Sequence, residues 1–366
     1  MTVTAQKGYI GFALQAAKLG STDVTTSTYF QSVQWERHRA TMFDLGPIEM
    51  VDSLPPEIGS GLFPITGFKN GAYVGGAMSV EARLAGGIGN LLAAASGATV
   101  TSASGTGTNK AHTHIFQPDP TDHTLMKWLS MKKYLPATTT ALGKTEFLVD
   151  CRVPQAVVTI PQMGPARMDY NFVGRKFTGR TGDYTGNSTG GTNKAFESGL
   201  SIGLSRLGSA VIDSAILPAS GCTFVGAVIT LTNNFTTPQQ EMIIGSQYPD
   251  DFAVLTRSAQ ITLTYKWPDA SLYSLLRYGS GYEFRTDIVY GDVTVSTVSA
   301  SAIGGGSSVI DPYSLTFYAP KVGWQMANPR LAAGEAIFVD LIGTIYDAED
   351  GSAPWRFTLA NEVVSY

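Results

Sequence analysis

The stretch "AMSVEARLAGGIGNLLAAASG", from Ala77 to Gly97, has a sequence pattern that recurs later in the chain. Apolar residues alternate along its first half, a glycine pair follows, and a Leu/Ala-rich segment ends at a glycine. The alternation predicts a strand, and the Leu/Ala-rich run closed by glycine predicts a short helix. The apolar side of the strand is expected to face the core and consists of Met78, Val80, Ala82 and Leu84.

A strand, glycines and a helix also begin many nucleotide-binding sites, but the spacing here does not fit one. A dinucleotide fingerprint needs a third glycine, which lets the helix pack closely on the strand. Counted from Gly87 and Gly89, that position is Leu92, and counted from Gly86 the second glycine position is Ile88. The segment is therefore predicted to be structural rather than phosphate-binding.

A second stretch, "AQITLTYKWPDASLYSLLRYGSG" from Ala259 to Gly281, has the same plan. Its alternation starts at Ile261, so the offset from Met78 is 261 − 78 = 183. The glycine pair is replaced by Pro268-Asp269. A strand-to-helix turn tolerates that exchange, whereas a phosphate cradle does not.

Later strands repeat as well, since "MGPARMDYNFVGRKF" (Met163 to Phe177) resembles "AAGEAIFVDLIGTIY" (Ala332 to Tyr346). We interpret these matches as a tandem duplication of one β-rich domain, with chance similarity of two β segments as the alternative. The predicted first repeat covers 1–177, a Gly/Thr-rich linker or long loop covers 178–210, and the second repeat covers 211–366.

The composition supports strands and extensive contacts between copies. Only 15% of the 366 residues are charged, against about 25% in a typical soluble domain, and 40 are glycine. A net charge of −4 without a basic block is unfavourable for gripping nucleic acid. We expect no membrane span, because no run of about 18 apolar residues occurs, and the start of the chain makes a poor signal peptide. Cys151 and Cys222 are predicted to be buried thiols.

Two apolar segments, Ala40–Asn70 and Asn234–Arg257, are predicted to be long loops. Loops of this length in a compact domain are usually functional or ordered by a partner. We expect their apolar side chains to contact neighbouring subunits, namely Met42, Phe43, Ile48, Leu54, Leu62, Phe63, Ile243, Ile244 and Tyr248.

Catalytic patterns are weak. "GLSIG" (Gly199 to Gly203) matches the nucleophile-elbow pattern, but such a triad needs a histidine after the serine, and all four histidines precede Ser201. In "AHTHIFQPDPTDH", His112, His114 and His123 lie near two aspartates and could bind zinc or iron, although a polar loop rich in turn residues is favoured. No catalytic residue, cofactor or metal is predicted, and a metal-dependent β-sandwich enzyme remains the alternative.

The chain resembles the tail tube proteins of long-tailed bacteriophages with non-contractile (siphovirus-type) tails. The resemblance rests on Ala77–Gly97, on "VGAVITLTNN" and on "GSQYPDDFAVLTRSAQITLTYKWPDASLYSLL", and it extends thinly from about Gly8 to the C-terminus. It implies a β-sandwich with a short helix in each repeat. Six such domains would close a ring whose inner strands form one β-barrel, and stacked rings would form a tube.

The resemblance also implies the partners and the location. A duplicated chain would form a homotrimeric, pseudo-sixfold ring, with a homohexamer as the alternative. The tape measure protein, the tail terminator and the distal tail proteins would be further partners. Genomic DNA would pass through without specific binding, in a virion tail assembled in the host cytoplasm. A capsid-decoration or baseplate protein is the other virion alternative.

If the repeated strands line such a bore, one of their faces meets DNA. The polar positions opposite the apolar ones predict Glu81, Asp169 and Asp340 as lumen-facing acids. Acidic side chains would repel phosphates and let DNA slide.

Overall fold

The computed structural model of the chain describes most of residues 8–366. The residues outside the description are 1–7, 20–27, 56–62, 64–65, 105–110, 123, 139–141, 183–191, 197–198, 213–222, 267–273, 275, 279–284, 304–310, 327, 330–335 and 365.

The described residues form 17 strands and two α-helices, which confirms the prediction of a mainly β chain with short helices. In chain order these are β1 (Tyr9–Gln15), α1 (Thr28–Ser32), β2 (Gln34–His38), β3 (Ala40–Ser53), β4 (Gly67–Glu81), α2 (Ile88–Ser96), β5 (Ala98–Ser104), β6 (Ala111–Gln117), β7 (Trp128–Leu135), β8 (Lys144–Ile160), β9 (Arg167–Thr181), β10 (Thr192–Phe196), β11 (Gly203–Ile212), β12 (Thr223–Phe235), β13 (Val254–Lys266), β14 (Val289–Ile303), β15 (Asp311–Met326), β16 (Phe338–Ile345) and β17 (Arg356–Asn361).

Eight of these strands form one continuous antiparallel run, which we call the eight-strand sheet. Its order is β3-β4-β9-β8-β12-β13-β16-β15. The first four strands come from the N-terminal half and the last four from the C-terminal half, in matching order. The β8–β12 ladder joins the two halves, so the backbone hydrogen bonds run across the junction without a break.

The hairpins β3–β4 and β12–β13 have the same register, including their irregularities. Each has two register shifts, and the shifts in β12 follow those in β3 at a constant offset of 184 (224 − 40): Ala40/Met42 against Phe224/Gly226, and Met50/Val51 against Asn234/Phe235. A β-bulge changes strand bend and twist locally. Two bulges at matching positions therefore give the two hairpins the same shape.

The ladders β4–β9 and β13–β16 also end at matching pairs, Glu81↔Arg167 and Lys266↔Phe338. The offset is 185 for β4 (266 − 81) and 171 for β9 (338 − 167). The sequence comparison aligned Met78 with Ile261, at 183. The ladder register instead aligns Met78 with Leu263, two positions further on. Because side chains alternate between faces with a period of two, each one is still assigned to the same face.

The predicted faces of these strands are confirmed. Met78, Val80, Ala82 and Leu84 are fully buried, and Ile261, Leu263 and Tyr265 are buried likewise. Trp267, the next alternating position of the second stretch after Tyr265, lies outside the described residues. Apolar side chains therefore cover one face of the sheet, and the other carries mostly Ser, Thr, Asn and charged residues.

The first predicted long loop, Ala40–Asn70, is wrong in its larger part. Residues 40–53 form β3, which pairs along its length with β4. Pro47 suggested a loop, yet proline is tolerated on an edge strand, where its missing N–H faces away from the ladder. The segment 54–66 connects the two strands. The second predicted loop is shorter than expected too, since β13 begins at Val254.

The remaining strands and α2 cover the apolar face. One group runs β7-β1-β2-β10 from β8, another is β14-β11 beside β15, and a third is β17-β6-β5. All nine residues of α2 are buried, and Gly97 ends the helix with a φ of 109°, as predicted. One apolar cluster extends from Ile10 to Leu359 through both halves.

The glycines before α2 make room for side chains of this chain. A Cβ on Gly89 would lie 2.3 Å from the ring of Tyr366, and one on Gly87 would lie 2.4 Å from Glu36 Cβ. The Tyr366 hydroxyl donates a hydrogen bond to the Gly86 carbonyl and accepts one from Asn361 Nδ2 at 2.6 Å. The ring of Tyr366 therefore occupies the space that a side chain at position 89 would need.

The predicted linker 178–210 is not a loop throughout. It contains the end of β9, all of β10 and most of β11, and β10 pairs with β2 of the first half.

Cys151 is a buried free thiol whose pKa is raised by desolvation, and Cys222 lies outside the described residues. Among the residues described, no helix has the length and apolarity needed to cross a bilayer.

Three of the described histidines, His38, His112 and His114, are buried, and burial lowers the pKa of two of them. His38 lies edge-on to Phe12, and burial, followed by the charge of Arg83, lowers its pKa to about 3. His114 donates from Nε2 to the Val363 carbonyl at 2.8 Å, and burial lowers its pKa as well. Both imidazoles are therefore neutral in the folded chain at neutral pH.

We expect the chain to lose stability as the pH falls below about 6.5. The folded-state pKa of His38 lies below the unfolded value, so the unfolded chain binds more protons in this window and acid favours unfolding. His38 alone costs at most about 1.4 kcal/mol per pH unit between its unfolded pKa and its folded pKa of about 3. Thermal unfolding between pH 5 and 8 measures this. In His38→Leu the slope between pH 7 and 5 should be shallower, and an unchanged slope contradicts the assignment.

Candidate assembly surfaces

The polar face of the eight-strand sheet carries the three predicted lumen acids, each with a local partner. Glu81 pairs with Arg83 Nη2 at 3.0 Å. Asp169 accepts hydrogen bonds from Arg167 Nη2 at 2.8 Å and from the Ser79 hydroxyl. Asp340 accepts one from Thr264 Oγ1 at 2.7 Å.

Two of these contacts are equivalent in the two halves. The offsets of 185 and 171 carry Ser79 onto Thr264 and Asp169 onto Asp340. A hydroxyl on one strand therefore donates to a carboxylate on the next in both halves. The face is mixed in charge rather than purely acidic, since Arg167 and Lys266 lie on it as well.

The outer edge of β3 is the open end of the eight-strand sheet. Within the described part of the chain, β3 pairs with β4 alone. Pro47 removes one donor from this edge, and Lys133 Nζ donates to the Leu45 carbonyl at 2.8 Å. Proline on the edge strand, and a lysine from β7 that covers one of its carbonyls, both limit uncontrolled strand addition.

The loop between β12 and β13, residues 236–253, folds back onto the first half of the same chain. The Ala72 N–H donates to the Gln247 carbonyl at 2.8 Å, and the Met242 methyl lies against Gly71. Tyr248 packs edge-on to Phe177, with ring centroids 5.8 Å apart. This loop thus extends along β4 and β9.

A buried ion pair holds loop 236–253 in place. Arg175 Nη1 donates to Asp150 Oδ2 at 2.6 Å, and Arg175 Nε donates to the Pro249 carbonyl at 3.0 Å. The other oxygen of Asp150 accepts from Gln15 Nε2 at 2.9 Å and from the Leu19 N–H at 2.7 Å. Every charged group in this cluster, which we call the Asp150–Arg175 clamp, has a partner.

The residues predicted to contact neighbouring subunits differ in how exposed they are in a single chain. Tyr248 is half-buried by the loop packing, and Phe43 lies under the Lys133 ammonium at 5.4 Å. Leu62 lies outside the described residues. The others are exposed: Met42, Ile48, Leu54, Phe63, Ile243 and Ile244. Their contacts with other copies stay a prediction.

Two residues that join the halves were missed at the sequence level. Asn233 is buried and donates to the Ala95 and Val153 carbonyls at 3.0 and 2.9 Å. Arg257 donates to Asn233 Oδ1 at 2.8 Å and to the Ser96 carbonyl at 2.8 Å. The last carbonyls of a helix have no partner within it and favour a cation. Strands of the second half therefore cap α2 of the first.

The histidine cluster does not form a metal site among the described residues. His112 and His114 lie on β6 with ring centroids 6.3 Å apart, and His114 is held by Val363 and the Tyr366 ring. No group of three His, Cys, Asp or Glu side chains is suitably placed in the described ranges, and His123 lies outside them.

We expect Arg175→Met to destabilise the chain by about 3–5 kcal/mol, because it leaves the buried Asp150 carboxylate without its cation. Amide exchange at Ala72 should also accelerate, since the loop loses its anchor. Chemical denaturation and hydrogen exchange measure the two effects. Adding Asp150→Asn to Arg175→Met removes the unpaired charge and should recover part of the loss. Wild-type stability in Arg175→Met would show that the clamp is not formed.

Comparison with known proteins agrees with the architecture. The family model described as "Phage tail tube protein" matches residues 53–319, which contain β4, β8, β9, β12 and β13 of the eight-strand sheet and the first part of β15, but not β16. No curated protein matches the chain. Because the family model covers well over half of the chain, the protein belongs to the phage tail tube protein family.

Proposed function

We propose that three copies of this chain close a pseudo-sixfold ring and that stacked rings form the tube through which phage DNA leaves the virion. The family supports a structural role in the tail. The trimer, the conduit and the siphovirus type of tail go beyond what the family gives. They are supported by the internal repetition of the eight-strand sheet.

The single observation that carries the trimer is the matched pair of hairpins. Both have the same register and the same two bulges, and both lead into a matching ladder. This supports a duplication of one tail tube domain with its repeats near the predicted 1–177 and 211–366. One chain then supplies two of the six ring positions.

The junction inside the chain suggests how copies join. In β12, Ala227–Thr232 pairs with the end of β8. The offset of 184 carries this segment onto Phe43–Ile48, which is the open edge of β3. We propose that Phe43–Ile48 pairs with the end of β15 in a neighbouring copy. Lys133 must then release the Leu45 carbonyl. Three copies of eight strands would close a barrel of 24 strands, which leaves no sheet edge.

The polar face of the barrel would line the bore. Its hydroxyl and amide side chains, with acids beside bases, offer DNA no continuous cationic track. Binding is therefore weak, which suits a conduit. The tape measure protein, the tail terminator and the distal tail proteins are proposed partners, and assembly is proposed in the host cytoplasm before the protein resides in the virion tail.

A purely structural protein is proposed rather than an enzyme. The family is structural, and His114 of the competing metal hypothesis contacts the C-terminal segment through the Val363 carbonyl and the Tyr366 ring. A decoration or baseplate protein built from the same domain is the remaining alternative. It would leave the edge of β3 unpaired in the virion.

The ring size has a direct test. Rings released from tubes by mild dissociation should have a mass of about 117 kDa, three times the 38.9 kDa of one chain. End-on images of tubes should show threefold symmetry with six similar lobes. Rings of six chains, at about twice that mass, would contradict the duplication argument.

The lumen assignment is tested by charge reversal. We expect tubes carrying Glu81→Lys, Asp169→Lys and Asp340→Lys to retain duplex DNA at low salt and to release it as salt screens the charges. Retention is measured by co-sedimentation over a salt series. The matched control, Glu81→Gln with Asp169→Asn and Asp340→Asn, removes the acids without adding cations and should retain much less. Lysine tubes without salt-dependent affinity would place these residues outside the bore.

A further inference from the structure

The open edge of β3 is contacted by a charged side chain from the layer beside it. Lys133, on β7, donates from Nζ to the Leu45 carbonyl at 2.8 Å, and the same ammonium lies 3.5 Å from Glu146 Oε2 on β8. Both side chains are largely buried, with 20% of Lys133 and 15% of Glu146 exposed. The ammonium therefore has two acceptors within reach, a backbone carbonyl on the sheet edge and a carboxylate away from it.

The edge position equivalent to Leu45 is engaged by a strand inside the chain. The offset of 184 carries Leu45 onto Ile229 of β12. Ile229 pairs with Val158 of β8 in the ladder that joins the two halves. The same edge position is thus covered by a lysine where the sheet is open and by a strand where the sheet continues.

The strands that carry Lys133 and Glu146 also have equivalents in the second half. The register shift Leu129/Met131 in the β7–β8 ladder matches the shift Gly291/Val293 in the β14–β15 ladder, at an offset of 162 (291 − 129). The residues opposite them on β8 and β15 match at 171 (322 − 151). The two ladders therefore share one register and one bulge.

These offsets show that the charged pair is specific to the half with the open edge. They carry Lys133 onto Val295 and Glu146 onto Phe317, which also lie opposite each other across their ladder. Both of these apolar residues are 1% exposed. The ion pair is thus replaced by an apolar pair in the half whose first edge, β12, is already covered by β8.

We propose that Lys133 is a removable cover of the assembly edge: its ammonium holds the Leu45 carbonyl in the free subunit and transfers to Glu146 when a neighbouring strand donates a backbone N–H to that carbonyl. This inference rests on the proposed ring and adds a control to one of its contacts. A groove of about 510 Å³, lined by Lys133 among others, gives the side chain room to move.

The carboxylate makes the cover removable. A half-buried ammonium that left the carbonyl without a second acceptor would be desolvated and uncompensated, which is costly. Glu146 already lies beside Lys133, so the transfer exchanges one partner for another. An open strand edge otherwise invites unspecific strand addition. The cover therefore raises the concentration at which free subunits begin to pair.

Changes to the two members of the pair should shift tube assembly in opposite directions. Lys133→Met removes the cover, so we expect the critical concentration for tube formation to fall about fivefold, the effect of one net hydrogen bond. Glu146→Gln removes the carboxylate to which the ammonium transfers, so the critical concentration should rise by a similar factor. Sedimentation of tubes over a concentration series measures both, once circular dichroism has shown that the subunits are folded. A purely structural ion pair would shift both variants in the same direction, and that result overturns the proposal.

Lys194→Met is the matched control for the change in net charge. Its ammonium pairs with Glu36, and both residues lie outside the eight-strand sheet, on β10 and β2. We expect this variant to assemble at the wild-type critical concentration. An equal fall in Lys194→Met and Lys133→Met would assign the effect to net charge and would likewise overturn the proposal.

A double variant keeps the test decisive if Lys133→Met does not fold because Glu146 has lost its cation. Lys133→Val with Glu146→Phe installs the apolar pair of the second half and should also assemble below the wild-type critical concentration. Assembly of this variant at or above the wild-type value overturns the proposal while leaving the tube itself established. Failure of the unmodified chain to form tubes would instead contradict the proposed function.

Discussion

Continuity of backbone hydrogen bonding through the eight-strand sheet is the constraint on which the rest of this structure depends. It requires β8 to change partners along its length. Residues Leu148–Cys151 and those before them pair with β7, whereas Gln155–Ile160 pairs with β12. Shortly before the change, Asp150 has a φ of 54°, a left-handed conformation that is uncommon outside glycine. The neighbouring structure must hold it in place.

Buried polar groups supply that support in a chain with few charges. The Asp150 carboxylate is enclosed by Arg175, Gln15 and the Leu19 N–H, so its desolvation is offset by several hydrogen bonds at once. The same arginine holds loop 236–253, and Asn233 with Arg257 caps α2 from the second half. Polar interactions therefore position the halves, while one apolar core supplies most of the stability.

The sequence predicted the features that depend on local pattern. Alternation identified the buried faces of β4 and β13, and Gly97 was correctly placed at the end of α2. The sequence comparison gave an offset of 183 for this strand, whereas the ladders give 185. The difference arises because an alternating pattern matches itself at every shift of two residues. Only the ladder register resolves that ambiguity. Pro47 and Gly46 obscured β3, since an edge strand tolerates residues that a central strand does not.

The contacts that join distant segments could not be predicted in this way. Asp150 and Arg175 lie on different strands, 25 residues apart, and nothing local in the sequence indicates that they meet. The glycines before α2 were recognised as unsuited to a phosphate, but their physical reason is the ring of Tyr366 near Gly89, which comes from the far end of the chain. Of the predicted surface contacts, Tyr248 packs on Phe177 within the chain, which only the loop's path reveals.

The central claim is that one copy continues the sheet of the next as the first half continues into the second. A reconstruction of assembled tubes by electron cryo-microscopy, at a resolution that separates strands, tests it most directly. The account predicts a closed barrel of 24 antiparallel strands per ring, in which Phe43–Ile48 pairs with the end of β15 of the adjacent copy as Ala227–Thr232 pairs with β8. A ring in which the outer edge of β3 remains unpaired, or pairs with a different strand, would contradict it.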